Sequence, residues 1–109
     1  MAKYLIIYSD DALQDLREIF KYIAGRLREP AIAAAQINRI REQIRSLGQF
    51  PARNKKVAWE PWRSIGMRQM PVDNFIAFYT IDDTQVAVQI VRIFYGKRDI
   101  QSYVRLAAD

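Results

Sequence analysis

The last third of the chain most constrains what it can fold into. Residues 65–83 read as a strand, a tight turn at Asp73-Asn74 and a second strand; residues 86–95 read as a longer β-prone run after a turn at Asp82-Asp83. Asp and Asn suit such turns because their short side chains bond the nearby backbone and tolerate left-handed conformations. Strands joined this tightly pair antiparallel. The last run breaks at Gly96-Lys97-Arg98-Asp99, where glycine permits a sharp exit from the sheet. Asp99 can cap the helical tail expected over residues 99–106.

The preceding residues supply a first strand and two helices. Residues 3–8 are almost wholly apolar and read as a well-covered strand. Ser9 and Asp10 can cap the first helix. Ala12, Leu13, Leu16, Ile19, Phe20, Ile23 and Leu27 recur at helical spacing, with Asp15, Arg17, Glu18 and Lys21 opposite them. Gly25 weakens or ends that helix, and Pro30 suits the first turn of the next. Ile32, Gln36, Ile37, Ile40, Ile44 and Leu47 form the second stripe, which Gly48 stops and Pro51 cannot continue. Helices near 10–27 and 30–47, joined by a few residues, should lie antiparallel. Residues 49–64, with two prolines, two tryptophans and several cations, read as an anchored loop. The expected architecture is α+β: a two-helix hairpin packed on a mainly antiparallel four-stranded sheet, in the order β-α-α-β-β-β with a short C-terminal helix.

At 109 residues the chain is expected to form a single domain spanning 1–109. It has no cysteine, which removes disulfide and thiolate chemistry, and no histidine, which removes the usual general base near neutral pH and the commonest metal ligand. No metal site and no cofactor are expected. No run approaches the roughly 20 apolar residues of a membrane span, and the opening strand is too short for a signal peptide, so a cytoplasmic location is expected. The net charge of +5 is unevenly placed. Residues 37–68 hold Arg39, Arg41, Arg45, Arg53, Lys55, Lys56, Arg63 and Arg68 against only Glu42 and Glu60, while the two flanks roughly cancel. Such an excess suits a polyanion or an acidic protein, and equally a solvated face that keeps a protein soluble.

Several residues could carry chemistry. Lys97 and Arg98 sit on a strand end where cations can clamp a phosphate or carboxylate, or where Arg98 can pair with Asp99 or Asp82 and lock the tail. Arg92 lies inside an apolar strand and must find a carboxylate, line a cleft or meet a partner. Arg68 interrupts another strand in the same way. Tyr79, Tyr95 and Tyr103 are candidate hydroxyl donors, or packing residues. Trp59 and Trp62, among Lys55, Lys56 and Arg63, can stack on bases or pin the loop to the core.

The pattern Tyr4-Leu-Ile-Ile-Tyr8, Ala12-Leu13-x-Asp15-Leu16, Ser46-Leu47-x-x-Phe50-Pro51, Gly66-Met-Arg68, Asn74-Phe-Ile-Ala-Phe-Tyr79 and Val91-Arg92-Ile-Phe-Tyr-Gly96-Lys-Arg98-Asp99 resembles, over nearly the whole chain, the RelE/ParE superfamily of bacterial type II toxins. The resemblance implies the same α+β fold, a growth-inhibiting and plasmid-stabilising role, and neutralisation by an antitoxin, expected to be acidic and encoded next door. Members of the RelE kind cleave mRNA on the ribosome with Lys, Arg and a tail Tyr; here Arg98, Arg68, Lys97 and Tyr103 would fill those roles. Members of the ParE kind bind DNA gyrase and cut nothing. The strand 74–79 lacks the cation of the nuclease branch, and Phe50-Pro51 with the Phe-Tyr-Gly-x-Arg-Asp ending suits the ParE kind. Arg92, Tyr95, Arg53, Lys55, Lys56 and Arg63 are the residues expected to meet target or antitoxin. The expectation is a toxin that binds gyrase, with a ribosome-dependent endoribonuclease as the alternative.

Overall fold

The computed structural model describes residues 3–108. Strand β1 (Leu5–Tyr8) leads into helices α1 (Asp10–Lys21) and α2 (Pro30–Arg45). Strands β2 (Arg68–Val72), β3 (Phe75–Asp82) and β4 (Ala87–Tyr95) come next, then helix α3 (Ile100–Ala108). The sheet order is β1-β4-β3-β2, antiparallel throughout β2, β3 and β4, with β1 joined parallel to β4. This is the expected α+β arrangement.

Local chemistry explains the boundaries. Ser9 caps α1 by accepting from the Ala12 amide at 2.9 Å, and Asp10 and Asp11 lie in the positive first turn. Gly25 does not end this helix. The chain instead loosens into one π-helical turn, Tyr22–Arg26, before Arg28 enters the left-handed region (φ 56°) and Pro30 restarts the helix. Helix α2 tightens into a 3-10 turn at Ser46–Gly48. A Cβ on Gly48 would stand 3.2 Å from the Tyr4 carbonyl oxygen, so glycine permits the close approach of this turn to β1. Residues 65–67 are not strand as expected. Ile65 and Gly66 complete a turn, with Gly66 at φ 73°, and pairing begins at Arg68.

The sheet is covered on both faces. Ala12, Leu16, Ile40, Ile44 and Leu47 of the helical layer pack on Tyr79, Val88, Ile90 and Ile93. The opposite face carries a second core, in which Trp62, Met67, Ile100 and Val104 cover Phe78 and Phe94. The tryptophans therefore anchor their loop: Trp59 stacks on Trp62 at 5.2 Å, and Trp62 lies 4.7 Å from Phe78.

One irregularity matters for the site. The β3–β4 register slips so that Phe78 faces Arg92 while Tyr79 faces Ile90, leaving Val91 as an extra residue. The slip switches the alternation, so Ile90 and Ile93, three apart, both enter the helix-side core. It also frees Arg92 from the period-two pattern that would have driven it there.

Candidate functional site

Strand β1 ends at Tyr8, so β4 beyond Ile90 would be a bare edge. The start of α1 covers it. The Ser9 amide donates to the Ile90 carbonyl at 2.9 Å, and the Ser9 hydroxyl donates to the Val91 carbonyl at 2.8 Å. The Ile93 amide donates to Asp15 Oδ2 at 2.9 Å. The same carboxylate receives Arg92 through Nε at 2.8 Å and Nη2 at 2.9 Å. Two-point geometry and partial burial make this a strong pair. The hydrogen bonds that Arg92 donates to Asp15 push its guanidinium further above its already high range, against the opposing effect of burial.

Arg92 also lies 4.4 Å from the centre of the Phe94 ring and 5.5 Å from that of Tyr103. Arg98 packs on the same two rings, at 5.1 Å and 4.2 Å. Phe94 and Tyr103 meet edge to face at 5.4 Å. The corner thus gathers two guanidiniums on one aromatic pair; among the described residues only that of Arg92 has a carboxylate, Asp15. Among the described residues Arg98 pairs with neither Asp99 nor Asp82 and remains exposed beside Lys97. Asp99 turns to the helix, accepting from the Ser102 amide at 3.4 Å. The corner can hold an anion on Arg98, with the guanidinium plane steadied by the aromatic pair.

The other predicted cations lie elsewhere. Arg68 pairs with Tyr79 in the middle of β3, whereas Tyr95 pairs with Phe75 at its start. Tyr79 and Phe75 stand about 13 Å apart along the strand, before any separation across strands is added. The structure therefore does not bring Arg68 to Arg98. Arg68 Nη1 donates to the Ala52 and Asn54 carbonyls at 3.2 and 2.7 Å. Arg53 Nη1 donates to the Ser46 and Gln49 carbonyls at 3.0 and 2.9 Å, closing the end of α2. Lys55, Lys56 and Arg63 are exposed. Tyr95 is exposed at the strand end, edge to face with Phe75 at 5.9 Å. Tyr79 is buried. Its hydroxyl donates to the Pro51 carbonyl at 2.6 Å and accepts from Asn54 at 3.2 Å, and burial pushes its pKa up.

Arg53, Lys56 and Arg68 do come together, with Lys3, around a groove of about 880 Å³ floored by Phe50, Pro51 and Ile65. Sequence reasoning missed Asp15 and Phe94 as members of the first corner, and Lys3, Phe50 and Ile65 as members of this one. Sequence marked Arg92 as a cation in need of a carboxylate, a cleft or a partner, but nothing in it singled out Asp15 as that carboxylate.

A helix hairpin on a four-stranded sheet, with a cationic strand end buttressed by a tail helix, is the architecture of the small RelE/ParE toxins. The chain belongs to that superfamily and to its ParE branch, since the family described as ParE toxin of type II toxin-antitoxin system, parDE, matches residues 6–100. No curated protein matches it in sequence. Solved structures share the fold. A chain of the chromosomal ParDE toxin–antitoxin system from P. aeruginosa superposes with a TM-score of 0.70 at 23% identity, covering 85% of this chain and 96% of that one. A chain of the RelBE2 toxin–antitoxin complex from Mycobacterium tuberculosis gives 0.63 at 23% identity, over 86% and 99%. The archaeal RelE–RelB complex from Pyrococcus horikoshii gives 0.62 at 12%, over 88% and 98%. Among the described residues no helix is long and apolar enough to cross a membrane.

Proposed function

We propose that this protein is a growth-inhibiting toxin, held inactive by a cognate antitoxin, that acts by binding DNA gyrase and not by cutting mRNA. What supports the target is the separation of Arg68 from Arg98. Stabilising one scissile phosphate calls for preorganised donors converging on it. Here Arg68 spends hydrogen bonds on two backbone carbonyls of the 46–54 segment. The Arg98 corner keeps a cation and a tyrosine, which suits anchoring an acidic group of a protein target. The antitoxin is supported by family membership and by the cations of residues 37–68, of which Arg39, Arg41, Arg45, Arg53, Lys55, Lys56 and Arg63 are exposed.

The pairing of Arg98 with Tyr103 is the one observation that favours the endoribonuclease reading, because it sets a phosphate-binding cation beside a hydroxyl. Expression in growing cells, with message integrity and plasmid supercoiling read together, separates the two. Gyrase binding predicts intact mRNA, impaired supercoiling and growth arrest relieved by co-expression of the neighbouring acidic frame. Arg98→Ala should weaken arrest about tenfold or more, the scale of losing one charge-assisted anchor. Reproducible mRNA cleavage on translating ribosomes, lost in Arg98→Ala, would establish the nuclease instead.

A further inference from the structure

The groove around Arg53 and Arg68 has no role in the corner around Arg98, yet it is built with fixed cations. Lys3, Arg53, Lys56 and Arg68 line it against a single carboxylate, Asp83, whose Oδ1 already accepts from the Tyr4 hydroxyl at 2.7 Å. Arg53 and Arg68 are held by main-chain carbonyls. A carbonyl orients a guanidinium without cancelling its charge, so both stay cationic and fixed in direction. Among the described residues none of the four has a carboxylate within ion-pair distance. The floor is apolar and open: Phe50 is 64% exposed and Ile65 59% exposed. Phe50 moreover stands in the left-handed region at φ 54°, a strained conformation for a bulky residue. The groove thus sets an exposed aromatic ring and Ile65 beside oriented cations.

We propose that this groove takes an extended acidic segment of a protein partner, with carboxylates on Arg53, Lys56 and Arg68 and an aliphatic side chain on Phe50 and Ile65. The apolar part of the lining, with Phe50 as its exposed ring beside a half-buried Tyr4, favours such a peptide over single-stranded nucleic acid, which would follow a run of cations with a series of exposed rings. The inference deepens the toxin–antitoxin reading, since the antitoxin is the partner that would bring this segment.

Fluorescence anisotropy of a short labelled peptide alternating Glu and Leu, with the purified full chain, tests it. The Lys56 side chain holds none of the backbone contacts that Arg53 and Arg68 make, so its charge can be reversed with those contacts kept. Lys56→Glu should lower affinity about tenfold or more, Lys56→Gln about threefold, and Arg26→Glu at the hairpin tip less than about twofold. Phe50→Ala should also cost several-fold. Equal losses for Lys56→Glu and Arg26→Glu, or no loss for Lys56→Glu, would overturn the site. So would an oligothymidylate that displaces the peptide and loses binding in the same variants. If the neighbouring protein fails to bind wild type, the toxin–antitoxin reading falls, while the peptide titration still decides the groove.

Discussion

Two arginine-rich regions flank the strand β3, Arg92 on β4 beside the tail and Arg68 on β2 beside the 46–54 segment, and they hold their guanidiniums differently. Beside the tail Arg92 is answered by a carboxylate, Asp15, which also receives the Ile93 amide. On the β2 side Arg53 and Arg68 are answered only by oxygens of the 46–54 segment that carry no charge. The first arrangement removes charge and welds α1 to β4. The second orders the cations and leaves their field intact. The tail corner is therefore structural except at Arg98, while the groove spends little charge on the fold and presents most of it outward.

The largest expected effect is at the weld. Asp15→Ala leaves Arg92 without its carboxylate and the Ile93 amide without an acceptor. It should destabilise the protein by about 3 kcal/mol, with Asp15→Asn losing less because one acceptor oxygen remains. Urea unfolding checks this, and a loss below about 1 kcal/mol would break the contrast. On the groove side Tyr79→Phe removes one hydroxyl from Pro51 and Asn54 and should cost about 1–2 kcal/mol. Tyr79 also gives a pH signature. Burial raises its folded pKa, so its contribution is fully present below the unfolded value near 10 and is lost as pH rises toward the folded value. Tyr79→Phe should flatten the alkaline limb of a stability-versus-pH curve.

Phe50→Gly sharpens the contrast further. Glycine relieves the left-handed backbone at a side chain that buries little, so stability should rise by about 0.5–1 kcal/mol while the peptide titration weakens. A gain in both stability and affinity would deny the ring its role. The smallest effect belongs to an exposed pair outside both regions, Arg39 with Asp73 at 2.8 Å. The hydrogen bond from Arg39, then that from Gln36, lowers the Asp73 pKa. Its contribution is present above the unfolded value of 3.8 and disappears as pH falls through the folded one. Arg39→Ala should shift acid unfolding slightly and leave stability near neutral pH almost unchanged.

Periodicity and turn chemistry carried the architecture. The turn at Asp73-Asn74 and the cap at Ser9 stand where their residues require. Asp82 instead ends β3 and accepts from the Gln85 amide across a turn at 83–86, and Phe20, Leu27 and Ile32 of the helical stripes stay exposed. The start of β2 is less legible because Ile65 and Met67 look like strand residues, whereas Gly66 at φ 73° and the bond from the Met67 amide to the Trp62 carbonyl bind them into the tryptophan turn. Of the candidate site, the strand-end cations and Tyr103 could be picked out, because a glycine followed by Lys97 and Arg98 marks where a sheet lets go of the chain. The partner of Arg92 could not. Asp15 lies 77 residues away, and the β-bulge at Val91 that turns Arg92 toward it has no local sequence signature.

The sequence by itself determined the elements, their order, the excess of positive charge in residues 37–68 and the absence of histidine and cysteine chemistry. These come from spacing and composition, which act over a few residues. The tertiary structure decided which cations are neutralised, which are merely held, and that Arg68 and Arg98 stand apart. Those outcomes depend on strand register and on contacts between distant segments, where a one-residue slip at Val91 changes the direction of every side chain beyond it.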